Sequence, residues 1–399
     1  MVHTDLKKVG NFHCDNEMLN KIHEACVRAT LANYVGIPTD CPHREQNGWT
    51  GDAQLSSNQA LLNFDIERAY AKWLRDFKDA QRGNGQLPGI IPCAGWGYNW
   101  GSGPAWDSAL FLIPWNVYVT TKKTAIIEDL WENMVLYMAY FERMAENDIA
   151  CFGLGDWVPV KEPIIPTEVT DTAYFYVDML LMGKMAEVLG KDGSYYFSRA
   201  KEIKETWRKN FWLGERRKEL EGFQTFWGCA IYQGLLDEEE IPEAARRLAE
   251  LVKENDYHID CGILGTQYIF SSLSDHGYAD VLYKMVTNPE YPSYAYWINQ
   301  GSTTLCEDWK MTSSQNHHMF SEVDRWLYRY VGGIQLNEDG VVIKPFLIPE
   351  VNEVTVEHNG IKVERKGKQV TVTLPMAATI DSGSQRYTAE AGTHEFILA

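Results

Sequence analysis

From about residue 16 to residue 331, hydrophobic positions recur every three or four residues, the spacing that places them on one face of an α-helix. The clearest stripe runs through residues 124–147 and includes Ile127, Leu130, Met134 and Phe141. We therefore expect a mainly α-helical fold over this part of the chain. The pattern predicts twelve helices, near residues 16–32, 53–63, 65–82, 108–120, 124–147, 171–190, 193–212, 224–236, 241–255, 262–273, 278–286 and 316–331.

The connections between these predicted helices alternate between short and long. Short links join helices that pack as neighbours, so the alternation indicates helix pairs arranged in a closed double ring. Long ordered loops in a compact domain usually carry function, and we expect them to meet at one end of the ring. These loops are rich in glycine, proline and aromatic residues, and they span residues 33–51, 83–107, 148–170 and 288–315.

Beyond Gly333 the pattern changes to an alternation of apolar and polar residues, which is the period of a half-buried β-strand. The stretches with this pattern are VVIKPF, EVTVEHNGIKVERKGKQVTVTL and THEFILA, in which HNG and KGK indicate hairpin turns. The chain is thus expected to divide into a helical barrel over residues 1–335 and a small antiparallel, sandwich-like β domain over residues 336–399.

The charge of the chain limits the classes of partner. The formal net charge is −18, and no dense run of lysine and arginine is present. A nucleic-acid-binding face needs such a run, as does contact with an anionic membrane, so neither partner is expected. Aromatic residues make up 13% of the 399 residues. Because Trp and Tyr carry a polar atom that needs a partner when buried, we expect many of them to line surfaces or clefts.

The eight cysteines are scattered, and none forms a CxxC pair. Neither a zinc ribbon nor a redox motif is therefore predicted. The first residues contain no apolar signal-peptide core, and no stretch approaches membrane-spanning length. These features predict a reduced, cytoplasmic protein.

The segment DCPHREQNGWTGDAQ, residues 40–54, combines the carboxylates of Asp40, Glu45 and Asp52 with Arg44 and Trp49. Its proline and glycines disfavour a regular helix, so we expect an ordered loop. Charged groups crowded on a loop usually bind a polar molecule or take part in chemistry. A sugar site needs this set, because carboxylates move protons and hold hydroxyl groups while Trp covers an apolar ring face. A solvated acidic loop is the alternative.

A second acidic and aromatic cluster, GSTTLCEDWK, lies in the loop 288–315 and contains Glu307, Asp308 and Trp309. Two such loops could face each other across a cleft. One carboxyl would then protonate the leaving oxygen of a glycoside, while the other activates water or attacks the sugar directly. A wide separation of the two groups, roughly 6.5–9.5 Å, leaves room for water and inverts the anomeric centre.

These segments resemble the α-L-rhamnosidases of glycoside hydrolase family 78. Residues 40–54 are similar to that family's Asp-Cys-Pro-x-Arg and Gly-Trp-x-Gly-Asp-Ala-Gln, and residues 106–115 to the start of one of its helices. The triplet 155–157 matches its Gly-Asp-Trp, GSTTLCEDW its Gly-x-Thr-Thr-x-Trp-Glu-x-Trp, and residues 316–328 its Asn-His helix. The five motifs occur in the family's order, and the C-terminal β segment also resembles that of the family.

The resemblance implies an (α/α)6 barrel and the release of terminal L-rhamnose with inversion. By position, Glu45 corresponds to the general acid and Glu307 to the general base. Asp40 and Asp52 would hold sugar hydroxyls, and Arg44 would help to orient their loop. A carbohydrate is the expected partner, and neither a cofactor nor a metal is expected.

The resemblance also implies an aromatic pocket, because the C6 methyl group of L-rhamnose needs an apolar contact. Trp96 and Trp100, in GWGYNWGSG, are further candidates for an outer subsite. The implied binding residues beyond the acidic loop are Trp49, Trp106, Asp107, Trp157, Trp309 and His317, of which the tryptophans wall the pocket and the histidine binds a hydroxyl.

Structural alternatives remain open for these residues. Ion pairing at the barrel rim could explain Glu45 and Arg44, and capping of a turn or a helix could explain the two aspartates of the same loop. Asp308 competes with the adjacent glutamate for the role of base. His318 competes with the histidine before it, and any one tryptophan could belong to the core.

The sequence departs from the family pattern at three places. Cys306 stands where the family has a tryptophan, so one aromatic wall is missing or is supplied from elsewhere. Ser321 stands where the family often has glycine. The sequence also starts close to the first barrel helix, without the N-terminal β domains usual in this family. Helices that those domains would cover could bind a second subunit, so a homo-oligomer is a further expectation.

Two functions other than rhamnoside hydrolysis are compatible with these features. Another (α/α)6 barrel could hydrolyse a different sugar or act as a polysaccharide lyase. A carbohydrate-binding protein without catalysis would keep the pocket and lose the acids. Both glutamate positions are occupied here, which argues against the binding protein.

Overall fold

The computed structural model describes residues 4–93 and 95–399, and the predicted helical pattern is present in it. All twelve predicted helices occur, with ends shifted by a few residues, together with three short helices that the pattern did not predict, at residues 104–107, 217–220 and 294–299. The helices are α1 (Glu17–Ala32), α2 (Thr50–Asn63), α3 (Glu67–Ala80), α4 (Pro104–Asp107), α5 (Ala109–Thr121), α6 (Ala125–Met144), α7 (Thr167–Val188), α8 (Ser194–Trp207), α9 (Arg217–Leu220), α10 (Gln224–Tyr232), α11 (Ile241–Glu254), α12 (Ile263–Ser274), α13 (Ala279–Thr287), α14 (Tyr294–Asn299) and α15 (Glu322–Trp326), and π-helical turns over Arg208–Trp212 and Leu327–Val331 extend α8 and α15.

Helix α15 begins six residues later than predicted. The preceding residues form a loop instead, because their backbone groups bond across it. The Ser314 amide donates to the Glu307 carboxylate at 2.9 Å, and the His317 amide donates to the Leu305 carbonyl at 2.9 Å. These bonds place the side chains of residues 307 and 317 at the mouth of the barrel.

Six helices form a closed inner ring. Helices α2, α5, α7, α10, α12 and α15 contact one another in that order, and α15 returns to α2. Helix α2 is buried on nearly all sides although its sequence, TGDAQLSSNQALLN, is not strongly apolar, since its many small side chains allow close packing. The outer helix α3 buries a single stripe, the ordinary pattern for a helix with one solvated face. The predicted (α/α)6 barrel is confirmed.

Nine strands in the described part of the chain form two sheets. The strands are β1 (Gly10–Cys14), β2 (Ile334–Asn337), β3 (Gly340–Ile343), β4 (Glu353–His358), β5 (Ile361–Lys366), β6 (Gln369–Leu374), β7 (Ala378–Asp381), β8 (Arg386–Ala389) and β9 (Gly392–Ile397). The five-stranded sheet has the order β1-β4-β5-β6-β9, and the four-stranded sheet has the order β2-β3-β7-β8. Every pairing is antiparallel except β3 with β7, which is parallel. The HNG turn joins β4 to β5, where Asn359 and Gly360 both have positive φ, as a tight hairpin turn requires.

Two features differ from the predicted division at residue 335. The boundary cuts through β2, since Ile334 and Gln335 already pair with β3. Strand β1, which the prediction placed in the barrel segment, is the edge of the five-stranded sheet and pairs with β4. The two ends of the sequence therefore share one sheet.

A polar cluster lies in the core between α1, α2 and α15. The fully buried Asp324 carboxylate accepts hydrogen bonds from Asn63 at 2.7 Å and from Gln59 at 3.2 Å. Its other oxygen lies 2.7 Å from Nδ1 of His23. Buried polar groups are stable when they are paired in this way, so this cluster ties the three helices together.

No helix among the described residues is long and apolar enough to cross a lipid bilayer. None of the eight cysteines, all within the described residues, is joined in a disulfide.

Candidate active site

The four long loops meet at one mouth of the barrel, as predicted, and enclose a cavity of about 70 Å³. A larger cavity, of about 810 Å³, lies between the inner helices and the four-stranded sheet and contains none of the predicted site residues. The smaller cavity is lined by Asp40, Glu45 and Trp49 of the first loop, Trp96, Trp100 and Trp106 of the second, Leu154 and Trp157 of the third, Glu307 of the fourth, and Asp52, His317 and Met319.

The acidic loop is folded by its own backbone and side-chain bonds. The Asp40 amide donates to the Asn47 carbonyl at 2.9 Å, and the Asn47 amide donates to Oδ1 of Asp40 at 2.8 Å. A Cβ at Gly48 would lie 2.1 Å from the Ile91 carbonyl oxygen, and a Cβ at Gly51 would lie 2.6 Å from the Trp106 ring. Both glycines therefore allow the close approaches that bring this loop against the second one.

The two glutamates predicted as acid and base share one guanidinium nitrogen. Nη2 of Arg44 donates to Oε2 of Glu307 at 2.6 Å and lies 3.4 Å from Oε1 of Glu45. Nε1 of Trp49 donates to Oε2 of Glu45 at 2.8 Å. The two carboxylates thus face each other across the cavity. Arg44 pairs with these two glutamates inside the site.

Two further acids and a histidine line the same cavity and carry buried polar atoms. Oδ2 of Asp40, Oδ1 of Asp52 and Nδ1 of His317 are buried and have no hydrogen-bond partner. A buried polar atom without a partner costs free energy. Such atoms are suited to a ligand that carries hydroxyl groups. Asp52 is the third residue of α2 and lies in its first turn, where the N-cap position is Trp49.

Burial shifts the pKa values of Asp40, Asp52 and His317. Burial raises the pKa of Asp40. Burial, reinforced by the negative charge of Asp40, raises the pKa of Asp52 well above its usual value. Burial, reinforced by the positive charge of Arg44, lowers the pKa of His317 to about 3. The imidazole is therefore neutral near pH 7, and its contacts at 3.6 Å to Asp40 and 3.9 Å to Glu307 are not ion pairs.

Trp157 is positioned by the aspartate before it, a role that the sequence did not reveal. Asp156 is buried and accepts the backbone amides of Gly262, Leu264 and Gly265 at 2.8–3.0 Å, and the Thr225 hydroxyl at 2.7 Å. It thus caps the N-terminus of α12 from a distant loop. The Trp157 carbonyl accepts the Ile263 amide at 2.9 Å. The Gly-Asp-Trp motif anchors this loop, and the tryptophan side chain reaches the cavity.

Trp309 does not wall the cavity, contrary to the prediction. Its ring is buried and stacks on Trp297 with centroids 4.5 Å apart, and its Nε1 donates to the Cys261 carbonyl at 3.0 Å. The adjacent Cys306 is also buried, beside Ser302. The aromatic walls come instead from the first three loops, which contribute Trp49, Trp96, Trp100, Trp106 and Trp157.

Asp107 also lies outside the cavity lining. It is fully buried behind Trp106, and its Oδ2 accepts a hydrogen bond from the Tyr137 hydroxyl at 2.9 Å. Burial raises the pKa of Asp107 to about 8. A direct bond from this carboxyl to a ligand in the cavity is therefore not supported by the structure.

The structure distinguishes Glu307 from Asp308, and His317 from His318, by their positions relative to the cavity. Asp308 turns away from the cavity and accepts the Ser313 amide at 2.8 Å and the Thr312 amide at 3.2 Å, whereas the preceding glutamate lines the cavity. His318 is fully buried outside the lining. Leu154 and Met319, which the sequence did not predict, lie three residues from Trp157 and two residues from His317, respectively.

One set of side chains in the described part of the chain could share a cation. Asp40, Cys41 and His317 each offer one ligand atom, and the three atoms lie within 4.8 Å of one another. Two of these residues are also the predicted hydroxyl ligands.

Residues 7–331 match the family model of the bacterial alpha-L-rhamnosidase six-hairpin glycosidase domain. An alpha-L-rhamnosidase of Formosa agariphila is 30% identical over 353 residues, which are 83% of this chain and 38% of that protein. The crystal structure of Streptomyces avermitilis alpha-L-rhamnosidase complexed with L-rhamnose gives a TM-score of 0.92 at 25% identity, over 100% of this chain and 43% of that chain.

The alpha-L-rhamnosidase structure from Dictyoglumus thermophilum gives a TM-score of 0.92 at 31% identity, over 99% of this chain and 51% of that chain. The chain spans 35–40% of the length of the curated relatives it matches. The family match covers most of the barrel and all four loops that line the cavity. The chain therefore belongs to the bacterial alpha-L-rhamnosidase six-hairpin glycosidase family.

Proposed function

We propose that this chain hydrolyses rhamnosides and releases terminal α-L-rhamnose with inversion at the anomeric carbon. One observation carries the proposal: Glu45 and Glu307, 262 positions apart in the sequence, face each other across one tryptophan-lined cavity. Both lie within 3.4 Å of the same Arg44 nitrogen. The relative from Streptomyces avermitilis, whose structure holds L-rhamnose, supports the substrate class.

In this proposal Glu45 is the general acid. Trp49 donates to its Oε2 at 2.8 Å and Arg44 donates to its Oε1 at the longer distance of 3.4 Å, so Oε1 is the more weakly held oxygen and the one that would give a proton to the leaving oxygen. Glu307 is the general base. The Ser314 amide and the Arg44 guanidinium both donate to its Oε2, which fixes the carboxylate and leaves its other oxygen to take a proton from water.

The remaining polar groups would hold the sugar. The unpartnered oxygens of Asp40 and Asp52 accept hydrogen bonds from sugar hydroxyls, and neutral His317 can donate or accept one. Trp106 and Trp157 offer apolar faces to the ring and to its C6 methyl group. The polar atoms of Asp40, Asp52 and His317 that lack a partner within the protein would thus gain one from the substrate.

Inversion is the finer part of the proposal and rests on the family resemblance. The shared nitrogen keeps the two facing glutamate oxygens at most about 6 Å apart, which is below the roughly 6.5 Å lower bound of inverting pairs, so this distance does not itself favour inversion. Proton NMR of the first sugar released from p-nitrophenyl α-L-rhamnoside distinguishes the two outcomes. Early β-L-rhamnose supports inversion, and early α-L-rhamnose contradicts it.

The catalytic assignment is tested with Glu45→Gln and Glu307→Gln on the same substrate. Because acid–base catalysis contributes about 10²–10⁴-fold, each change should lower kcat by at least about 100-fold while the circular dichroism spectrum is unchanged. Glu338→Gln, at an exposed ion pair with Lys184 outside the cavity, is the matched control and should retain full activity. Activity within about tenfold of the parent would remove the role from that glutamate.

The location and the other partners stay predictions. A reduced, cytoplasmic location is supported by the lack of disulfides among the eight cysteines of the described residues. The absence of a cofactor, the absence of nucleic-acid and membrane partners, and the formation of a homo-oligomer are proposals from the sequence.

A further inference from the structure

Three side chains at the mouth of the barrel carry atoms that bind metal ions: the Asp40 carboxylate, the Cys41 thiol and the His317 imidazole. One ligand atom from each lies within 4.8 Å of the other two. In the described part of the chain, no other set of three or more such side chains meets this distance. The set joins two segments that are far apart in the sequence, because the first two residues lie in the acidic loop and His317 precedes α15.

The spacing of the oxygen and nitrogen ligands is close to that around a single ion. Oδ2 of Asp40 lies 3.6 Å from Nε2 of His317. Zinc binds carboxylate oxygens and imidazole nitrogens at about 2.0–2.2 Å in tetrahedral sites, which places two such ligands roughly 3.3–3.6 Å apart. The two side chains are therefore already spaced to share one zinc ion.

Two of the three side chains carry buried atoms that lack a hydrogen-bond partner, Oδ2 of Asp40 and Nδ1 of His317. The two residues are 2% and 3% exposed. A buried carboxylate oxygen without a partner costs free energy, and a bond to a cation would remove that cost. Because the same oxygen is the one that faces Nε2 of His317, the unmet bonding and the ligand spacing occur at one place.

The thiol determines which kind of cation fits. Cys41 is fully buried, and its Sγ accepts the Glu45 amide at 3.3 Å. Calcium and magnesium are hard cations that take oxygen ligands, whereas one sulfur, one nitrogen and one oxygen suit zinc. Three protein ligands leave the fourth position of a zinc ion to water. When the metal–sulfur bond forms, the thiol gives its proton to solvent.

We propose that Asp40, Cys41 and His317 form an inhibitory zinc site beside the substrate cavity. Asp40 and His317 line the cavity, so the ion reaches them by the route that the substrate takes. It occupies side chains that hold sugar hydroxyls in the proposed function, and zinc and a rhamnoside therefore exclude each other. The ion takes no part in hydrolysis. The inhibition rests on the proposed function, whereas the cation site does not.

Binding is tested without turnover by adding Co²⁺, which occupies zinc sites and reports its ligands by light absorption. We expect the reduced protein to bind one Co²⁺ with a thiolate-to-cobalt charge-transfer band, and Zn²⁺ to displace it. Cys41→Ala should remove the band and weaken zinc binding in calorimetry more than about tenfold, since even the loss of an outer partner of a metal site costs about 10–100-fold. Cys151→Ala, at an exposed thiol outside the set, is the matched control and should bind as the parent does.

A second ligand variant keeps the test valid if Cys41→Ala does not fold. Asp40→Asn removes the charged oxygen and keeps an acceptor for the Asn47 amide. It should weaken zinc binding more than about tenfold while the cobalt–thiolate band, at saturating Co²⁺, remains. Mg²⁺ should not displace Co²⁺ from the parent, because it does not favour sulfur or nitrogen ligands.

Inhibition is tested with p-nitrophenyl α-L-rhamnoside, and each rate is divided by the zinc-free rate of the same variant. Zinc should raise the KM of the parent and leave its kcat unchanged, because the ion and the sugar compete for the same side chains. The zinc concentration for half inhibition should rise more than about tenfold in Cys41→Ala and stay unchanged in Cys151→Ala.

Two binding results would overturn the cation site. A parent protein without the cobalt–thiolate band would show that the three side chains do not share an ion. Equal zinc affinity in the parent and in Cys41→Ala would show that the ion binds elsewhere.

The two assays separate failure of this inference from failure of the proposed function. If no rhamnoside is hydrolysed but Co²⁺ binds through Cys41, the cation site stands and the rhamnosidase function fails. If rhamnosides are hydrolysed and neither Co²⁺ nor Zn²⁺ binds, the function stands and the cation site is overturned. If the ion binds through Cys41 while zinc leaves KM unchanged, the inhibitory role is overturned.

Discussion

Two groups of buried acids in this molecule use the same residue types and differ in whether their oxygens have partners. In the core, both oxygens of Asp324 are engaged, by His23, Gln59 and Asn63. In the cavity, Asp40 and Asp52 each keep a buried oxygen without a partner. An unpaired buried polar atom costs stability, but it does not by itself identify a binding residue, since Asp107, Asp171 and Asp178 also keep an unpaired oxygen outside the cavity lining. At the cavity, where a ligand can supply the missing bond, an unpaired acid oxygen makes its residue a candidate for binding substrate.

The largest effect is expected where a partnered acid is removed. Asp324→Ala leaves three side chains from α1 and α2 without their shared acceptor, so the free energy of unfolding should fall by about 3–5 kcal/mol. Urea denaturation measures this change. The kcat of the folded variant on p-nitrophenyl α-L-rhamnoside should stay within about threefold of the parent, because Asp324 is not part of the cavity. A large loss of kcat with unchanged stability would mean that Asp324 serves catalysis and does not stabilise the fold.

The converse change is Asp40→Asn in the cavity. The Asn side chain keeps an oxygen for the Asn47 amide and loses the second acceptor, so kcat/KM should fall about 100-fold. The free energy of unfolding should stay within about 1 kcal/mol of the parent, since the lost oxygen has no partner. Asp156→Asn, a change at an acid with four donors, should do the reverse and mainly lower stability. Equal losses of stability in both variants would contradict the distinction between the cavity acid Asp40 and the structural acid Asp156.

A third test uses pH, at Asp107. Burial raises the pKa of Asp107 to about 8, so the folded state keeps a proton that the unfolded state loses near pH 4. Stability from this group is present in full below about pH 4 and is lost as the pH rises toward 8. Relative to Asp107→Asn, the parent should lose about 1 kcal/mol of unfolding free energy per pH unit between pH 5 and pH 7. Parallel curves from urea titrations would show that the carboxyl is ionised when folded.

The smallest effect is expected at Asp308, beside the proposed base. Its oxygens are engaged by the Thr312 and Ser313 amides, and these bonds hold its pKa below the usual value. Asp308→Asn should lower the free energy of unfolding by about 1 kcal/mol or less and change kcat by less than about threefold. A loss of kcat as large as that of Glu307→Gln would move the base to Asp308.

The sequence predicted the barrel and the meeting of its loops well, because both follow from local signals. Helical periodicity is readable residue by residue, and alternating link lengths place the long loops together. The contrast between Trp157 and Trp309 shows where local signals end. Both follow an aspartate and resemble family motifs, yet Trp157 is 38% exposed at the cavity and Trp309 is buried against Trp297. Their positions depend on partners that no sequence window contains.

The same limit applies to charge and to strand pairing. Arg44 was expected to orient its loop, and its bond to Glu307 joins positions 263 residues apart. Strand β1 is five residues long, too short to show a reliable period, and its partner β4 lies near the other end of the sequence. The predicted boundary at residue 335 placed β1 and β4 in different domains, because their pairing joins distant parts of the sequence.

The pairing of β1 with β4 has a consequence for synthesis of the chain. A ribosome adds about 5–20 residues per second, so roughly 20–70 s separate the appearance of the two strands. During this interval the barrel helices can begin to assemble, while β1 displays free amide and carbonyl groups along both of its edges. Unpaired strand edges are sites of aggregation, so the interval in which β1 waits for β4 is when the nascent protein is most exposed to mispairing with another copy.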